Sequence, residues 1–350
     1  MKLVSYLNEE HDQLAFLVDG FLYDCDLLHP ALPNSMNMFL HYWEDMFPVA
    51  KQVNEAIKDG RLSKDKGRAI SEVPLLAPVP FPASCREGDT FPAYRELVSQ
   101  NSGLPNTESL DQYPDFYFTN HQSIQGPGEI KCMPDHLKQL DFGLEAAIVI
   151  CKHARNVTAA EANSYIGGLM IMNSMSAHAL QQKEMMKHLG PTKSRDFATV
   201  VGPCLVTLDE LAGYELPCKE GHTGIAWNLS MKASINGIVV SESNLSDMDW
   251  TFAELIERSA YGVTLQPGDV ISSGITGNGC FWGLNTTGHL KDANYADHWL
   301  KEGDVIEMEI DGLDKMSSTI IKEESDFSLL KRELIINNYE IAINDCKSMI

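Results

Sequence analysis

The stretch that most constrains this chain is LDFGLEAAIVI, Leu140 to Ile150. Leu144, Ala146, Ala147, Ile148, Val149 and Ile150 form a nearly unbroken apolar run, which predicts a strand buried on both faces. Asp141, Gly143 and Glu145 interrupt it, and alternation along one continuous strand would put all three on the same side. A carboxylate inside a core strand is unfavourable unless hydrogen bonds or a cation compensate it. Glu145 therefore reads as one wall of a site, and it needs a partner.

The rest of the chain is built around that strand. Asp19-Gly20 and Asn236-Gly237 are hairpin turn signals between strand-like runs. Residues 35–60 carry helical spacing, with Met36, Met38, Phe39 and Trp43 read as core packing, and Gly60 is a stop signal. A proline-rich stretch, VPLLAPVPFPASCREGD, reads as an extended linker into the main domain. From 77 to 320 the pattern is mostly strand, with Gly-rich turns. Thr158 and Glu161 form a capping box, and helices are expected over 174–189 and at TFAELIERSA. Residues 322–350 turn charged and amphipathic and read as an appended helix. The fold class expected is α+β and β-rich. Its boundaries are a small N-terminal β/helical module over 1–76, a main domain over 77–320 and a helical tail over 321–350.

Charge narrows the partners. With 27 basic and 49 acidic residues the formal charge is -22, which argues against nucleic acid and anionic membrane surfaces. No apolar run is long enough to cross a bilayer as a helix, and the N-terminus lacks the apolar core of a signal peptide. Eight scattered cysteines without a C-x-x-C pair read as reduced thiols, and the chain is expected to be cytoplasmic.

Five ordered segments carry a family likeness: LDFGLE, MNSMSAHALQ, LGPTKSRDFATVVGPCLVT, LQPGDVISSGITGNGC and WLKEGDVIEMEIDGL. Together they resemble the fumarylacetoacetate hydrolase family over residues 77–320. The resemblance implies a mixed β-sandwich roll, a homodimer, and a Mg²⁺, Mn²⁺ or Ca²⁺ site that chelates a 1,3-dicarbonyl or 2-keto acid. It also implies specific residues, and here the chain departs from the pattern. Where the family reads D-[FY]-E-x-E, this chain has Asp141-Phe142-Gly143-Leu144-Glu145, keeping Glu145 as a ligand and losing the other to Gly143. The Asp of M-N-D-W-S-A-R-D is Ser174 and its Arg is His178, while Gln181 is kept. Upstream, Glu87 stands for a metal carboxylate and Tyr94 for the water-activating His. Gly283 stands for that His's carboxylate partner, Ile275 for the Thr of S-G-T and Arg195 for a Lys. Tyr117 matches a substrate-facing Tyr.

Half of the implied metal carboxylates and both members of the base dyad are thus replaced, while the scaffold motifs persist. Without the full ligand set, the resemblance implies that Glu145 needs a new partner, and Arg195 or a proton on Glu145 itself is the expectation. Three readings remain open on sequence. The first is metal-independent acid/base chemistry on a small keto or enol compound, without cofactor. In it Tyr94, His178 and Arg195 would be catalytic, and Tyr117, Gln181, Ser174 and Ile275 would line the substrate pocket. The second is a catalytically silent binding subunit. The third is a hydrolase or decarboxylase with a rebuilt Mg²⁺, Mn²⁺ or Ca²⁺ site on Glu87 and Glu145.

Overall fold

A computed structural model describes residues 1–62, 67–102, 112–187 and 190–331. Leu144–Ile150 is buried at every position. It pairs antiparallel with Ile166–Ser174 on one side and with Val270–Ser272 on the other. Because side chains alternate, the strand feeds two cores. Leu144, Ala146, Ile148 and Ile150 pack with Met231, Ala233, Ile306 and Met308. Ala147 and Val149 pack with Phe39, Trp43 and Val53.

Those two cores define the layers. Among the described residues an eleven-stranded sheet runs, in spatial order, Arg68–Ala69, Phe21–Asp24, His11–Val18, Lys2–Asn8, Thr199–Val206, Ile166–Ser174, Leu144–Ile150, Val270–Ser272, Cys85–Asp89 and Asp115–Thr119. Ile124–Gln125 pairs with Thr199–Val206 off this path. One face carries a five-stranded sheet ordered Ile238–Asn244, Ser230–Ile235, Val305–Ile310, Asp314–Lys322 and Gly128–Cys132. The helices Met36–His41 and Trp43–Lys58 cover the other face. The fold is α+β and strand-rich. The N-terminal strands extend the main sheet directly, since Lys2 and Leu3 register with Val206 and Leu205.

Several local expectations change. The segment 140–150 is two strands: Leu140–Asp141 pairs with Ser176–Ala177, and Leu144–Ile150 joins the main sheet. Side chains cause the break. Asp141 Oδ1 accepts the Phe142 N–H at 2.8 Å and Asn173 Oδ1 accepts the Gly143 N–H at 3.0 Å, replacing ladder bonds. Alternation therefore does not run through, and Asp141 and Glu145 serve different neighbours. Tyr42 (φ -110°, ψ 34°) divides the 35–60 helix in two. The expected 174–189 helix begins at His178 and is described to Met185. Two helices, Pro92–Ser102 and Phe281–Lys291, arise where strand and turn were expected. The hairpins at Asn236-Gly237 and Asp19-Gly20 and the Thr158–Glu161 capping box form as read. Of the proposed tail helix, residues 332–350 lie outside the described residues, as does Cys346. The other seven cysteines are unpaired thiols. No described helix is long and apolar enough to cross a membrane.

Candidate active site

Glu145 sits at the sheet's centre with no solvent exposure. Oε1 accepts the Ser174 hydroxyl, and Oε2 accepts the Ser272 hydroxyl at 2.5 Å. Burial drives its pKa well above the ordinary glutamate value, and the nearby Glu87 pushes the same way. Both effects favour the protonated form of Glu145, which is held between two serines contributed by the flanking strands.

Glu87 comes from Cys85–Asp89, beside Ser272 in the parallel pairing and opposite Tyr117 in the antiparallel one. Its Oε1 accepts Arg195 Nη1 at 2.7 Å, and its buried Oε2 has no partner. Gly274 lets this strand approach: at φ +79°, a Cβ there would lie 2.0 Å from the Gly88 carbonyl oxygen. Arg195 reaches in from the loop before Thr199–Val206. Glu184 anchors that loop, accepting the Thr192 N–H at 2.7 Å and the Ser194 hydroxyl at 2.6 Å. Arg195 Nη1 also donates to the Tyr117 hydroxyl at 2.5 Å, and the guanidinium lies 5.6 Å from that ring's centre. Burial opposes its charge, but Tyr117, Glu87, Tyr94 and Glu145 outweigh burial and hold its pKa well above the usual value. Arg195 thus takes Glu87, not Glu145, as its ion-pair partner.

Tyr94, on the helix Pro92–Ser102, joins this cluster. Burial pushes its phenol far up, Cys280 adds to the rise, and Arg195 opposes it. Tyr117 is likewise raised by burial, with Arg195 opposing. Both phenols are neutral proton donors. His178 is placed differently. Its Nε2 lies 3.0 Å from Asp141 Oδ2, and its ring packs against Trp282 and Trp299 at 6.4 and 5.3 Å. Tyr94 meets the same Trp282 edge-on at 6.1 Å. Asp141 is already saturated, since it also accepts the backbone N–H groups of Phe281 and Trp282 at 2.7 and 2.8 Å. Gln181 lies one turn beyond His178, with its buried Oε1 unpartnered. Ile275 packs on Gly143 rather than on the Arg195 cluster. A Cβ at position 143 would lie 3.1 Å from Ile275 Cγ1 and 2.4 Å from Ser174 Oγ.

These residues do not fit a hard divalent cation, which favours several anionic oxygens. A guanidinium occupies Glu87, serine hydroxyls occupy Glu145, and Asp141 is consumed by backbone donors. Position 143 leaves no room for a carboxylate while Ser174 stays where it is. Among the described residues, no three His, Cys, Asp or Glu side chains group as metal ligands.

Arg195 and Tyr117 line a cavity of about 300 Å³ together with Phe118, Thr119, Asn120, Thr192 and Asp196. Sequence reasoning missed Ser272, Trp282 and Asp196. Ser272 carried a faint signal, a polar residue ending the apolar run Val270-Ile271.

A mixed sandwich with this ordered set of buried acids defines the class. The model of the fumarylacetoacetate (FAA) hydrolase C-terminal family matches residues 90–321, and the chain belongs to that family. Rat mitochondrial oxaloacetate tautomerase Fahd2a is 27% identical over 328 residues, covering 92% of each chain. Oxaloacetate tautomerase YisK of Bacillus subtilis is 27% identical over 256 residues, covering 72% of this chain and 74% of the relative. Two solved structures share the fold. Fumarylacetoacetate hydrolase from Exiguobacterium antarcticum has a TM-score of 0.66 at 19% identity, covering 92% of this chain and all of that one. Maleylpyruvate hydrolase from Sphingobium sp. SYK-6, solved with manganese(II) and pyruvate, has a TM-score of 0.65 at 19% identity, covering 93% and 100%.

Proposed function

We propose that this protein is a keto–enol tautomerase for a small 2-oxo acid, working with a protein-borne cation in place of a divalent ion. The observation that carries the reading is the Arg195–Glu87–Tyr117 cluster: a buried guanidinium, at an ion-pair distance of 2.7 Å, opening on a cavity of about 300 Å³. Two relatives named as oxaloacetate tautomerases support the reaction class.

Tautomerisation moves one proton between oxygen and carbon and releases no group, so it requires acid and base groups but no water nucleophile. A fixed positive charge beside the substrate oxygen stabilises the enolate on the way. Arg195 supplies that charge. Tyr117 and Tyr94 supply neutral O–H donors, and the unpartnered Oε2 of Glu87 is the proton acceptor. His178, held on Asp141 and packed on Trp282 and Trp299, is not among the residues lining this cavity. The test is the decay of enol-oxaloacetate to its keto form, followed by ultraviolet absorbance with the purified full-length chain. Acceleration over buffer in proportion to enzyme supports the reading, and decay indistinguishable from buffer for both enol-oxaloacetate and its 4-methyl ester rejects it.

A further inference from the structure

We propose that the site selects a substrate bearing a single carboxylate, and that Asp196 at the cavity wall turns a second one away. The inference rests on the tautomerase reading and names its substrate class.

Arg195 is the one cationic side chain among the described residues lining the cavity. Its Nη1 is committed to Glu87 and Tyr117, whereas its buried Nε has no partner. The Nε–Nη2 edge of the planar guanidinium is therefore the donor face left for one carboxylate. The remaining wall offers no second cation. Asp196 Oδ2 pairs with Lys193 at 2.7 Å, and its buried Oδ1 is unpartnered. The Asn120 side chain is used at both ends, donating to the Asp196 carbonyl at 2.9 Å and accepting the Gln122 N–H at 3.1 Å. Glu184 stands behind Thr192 and Ser194. Across this region Arg195 and Lys193 face Glu87, Glu184 and Asp196, so the surroundings are net negative before any substrate arrives. A first carboxylate or enolate oxygen meets Arg195. A second carboxylate meets Asp196 and groups already engaged, and an anion desolvated without a cation is strongly disfavoured.

The discriminating pair is oxaloacetate and its 4-methyl ester, which share a skeleton and differ by one charge. With the full-length wild-type protein, the expected kcat/KM for the ester is at least tenfold the value for oxaloacetate, mainly through KM. Added salt should raise the oxaloacetate rate by screening the repulsion and leave the ester rate nearly flat. Asp196→Asn should narrow the tenfold ratio to threefold or less, because it removes the carboxylate and releases Lys193. Equal rates, a preference for oxaloacetate, or a ratio unmoved by Asp196→Asn in a folded variant would overturn the inference and leave the tautomerase reading standing. No turnover of either compound would overturn both. The wild-type ratio and its salt dependence decide the matter even if the variant does not fold.

Discussion

Asp141 and Glu145 lie four residues apart, both fully buried, and have opposite fates. Asp141 receives three backbone N–H groups and the His178 ring. Every lone-pair direction is used, and the carboxylate fastens the Phe281–Lys291 helix to the Leu140–Asp141 strand. Glu145 has only two serine hydroxyls and a carboxylate neighbour, and burial raises its pKa. Beside it, Glu87 and Arg195 each retain a buried polar atom without a protein partner. A saturated carboxylate is a fastener. A cluster left short of partners is where a ligand can be received.

Substitutions at three residues probe that contrast, and the largest effect falls on the unsaturated cluster. Arg195→Met should lower tautomerase kcat/KM by about 10²–10³, the scale of removing one preorganised charge donor. It should also destabilise the fold by about 3–5 kcal/mol, because Glu87 is left buried without a cation. Arg195→Lys separates the two effects: most stability should return, with less of the activity, as a point charge cannot hold Glu87 and Tyr117 together as the planar guanidinium does. Activity retained in Arg195→Met would remove Arg195 from the chemistry.

At Asp141 the order should reverse. Asp141→Ala strips the helix cap and orphans buried N–H groups, a loss of about 2–4 kcal/mol read as a lower midpoint in urea. In the fraction that remains folded, turnover should fall far less than in Arg195→Met. A variant as stable as wild type would show that Asp141 is not the fastener described here.

The smallest effect concerns Glu145 and pH. Its pKa is raised in the folded state, so between the ordinary glutamate value of about 4.3 and the raised folded value the native state binds the extra proton. Stability from this group therefore falls as pH rises through that window. Glu145→Gln mimics the neutral acid and removes the dependence. The melting temperature of the variant relative to wild type should climb from pH 4 to pH 8, and a constant difference would mean that Glu145 is ionised in the fold.

The sequence made the central strand legible because an apolar run with β-branched residues has few other uses, and it made Glu145's need for partners legible for the same reason. The identity of those partners was not local information. Ser174 and Ser272 are 29 and 127 positions away, and Arg195 resolves its charge on Glu87, 108 positions upstream. The break at Gly143 was hidden because the Asn173 side chain, 30 positions downstream, replaces the ladder bond. The Phe281–Lys291 helix was hidden for a similar reason. Its segment carries two glycines, and its N-terminal N–H groups are capped by Asp141 from 140 positions away. The family motifs placed Gly143, Ser174 and Arg195 in one region. Only the packing shows that Ser174 and Ile275 close the space around Gly143.

The most direct test of the central claim is enol-oxaloacetate decay with protein stripped of divalent ions by chelation and verified metal-free by elemental analysis. The account predicts that the stripped wild-type enzyme keeps its acceleration over buffer and gains nothing from added Mg²⁺, Mn²⁺ or Ca²⁺. Loss of turnover on stripping, restored by any of these ions, would contradict it.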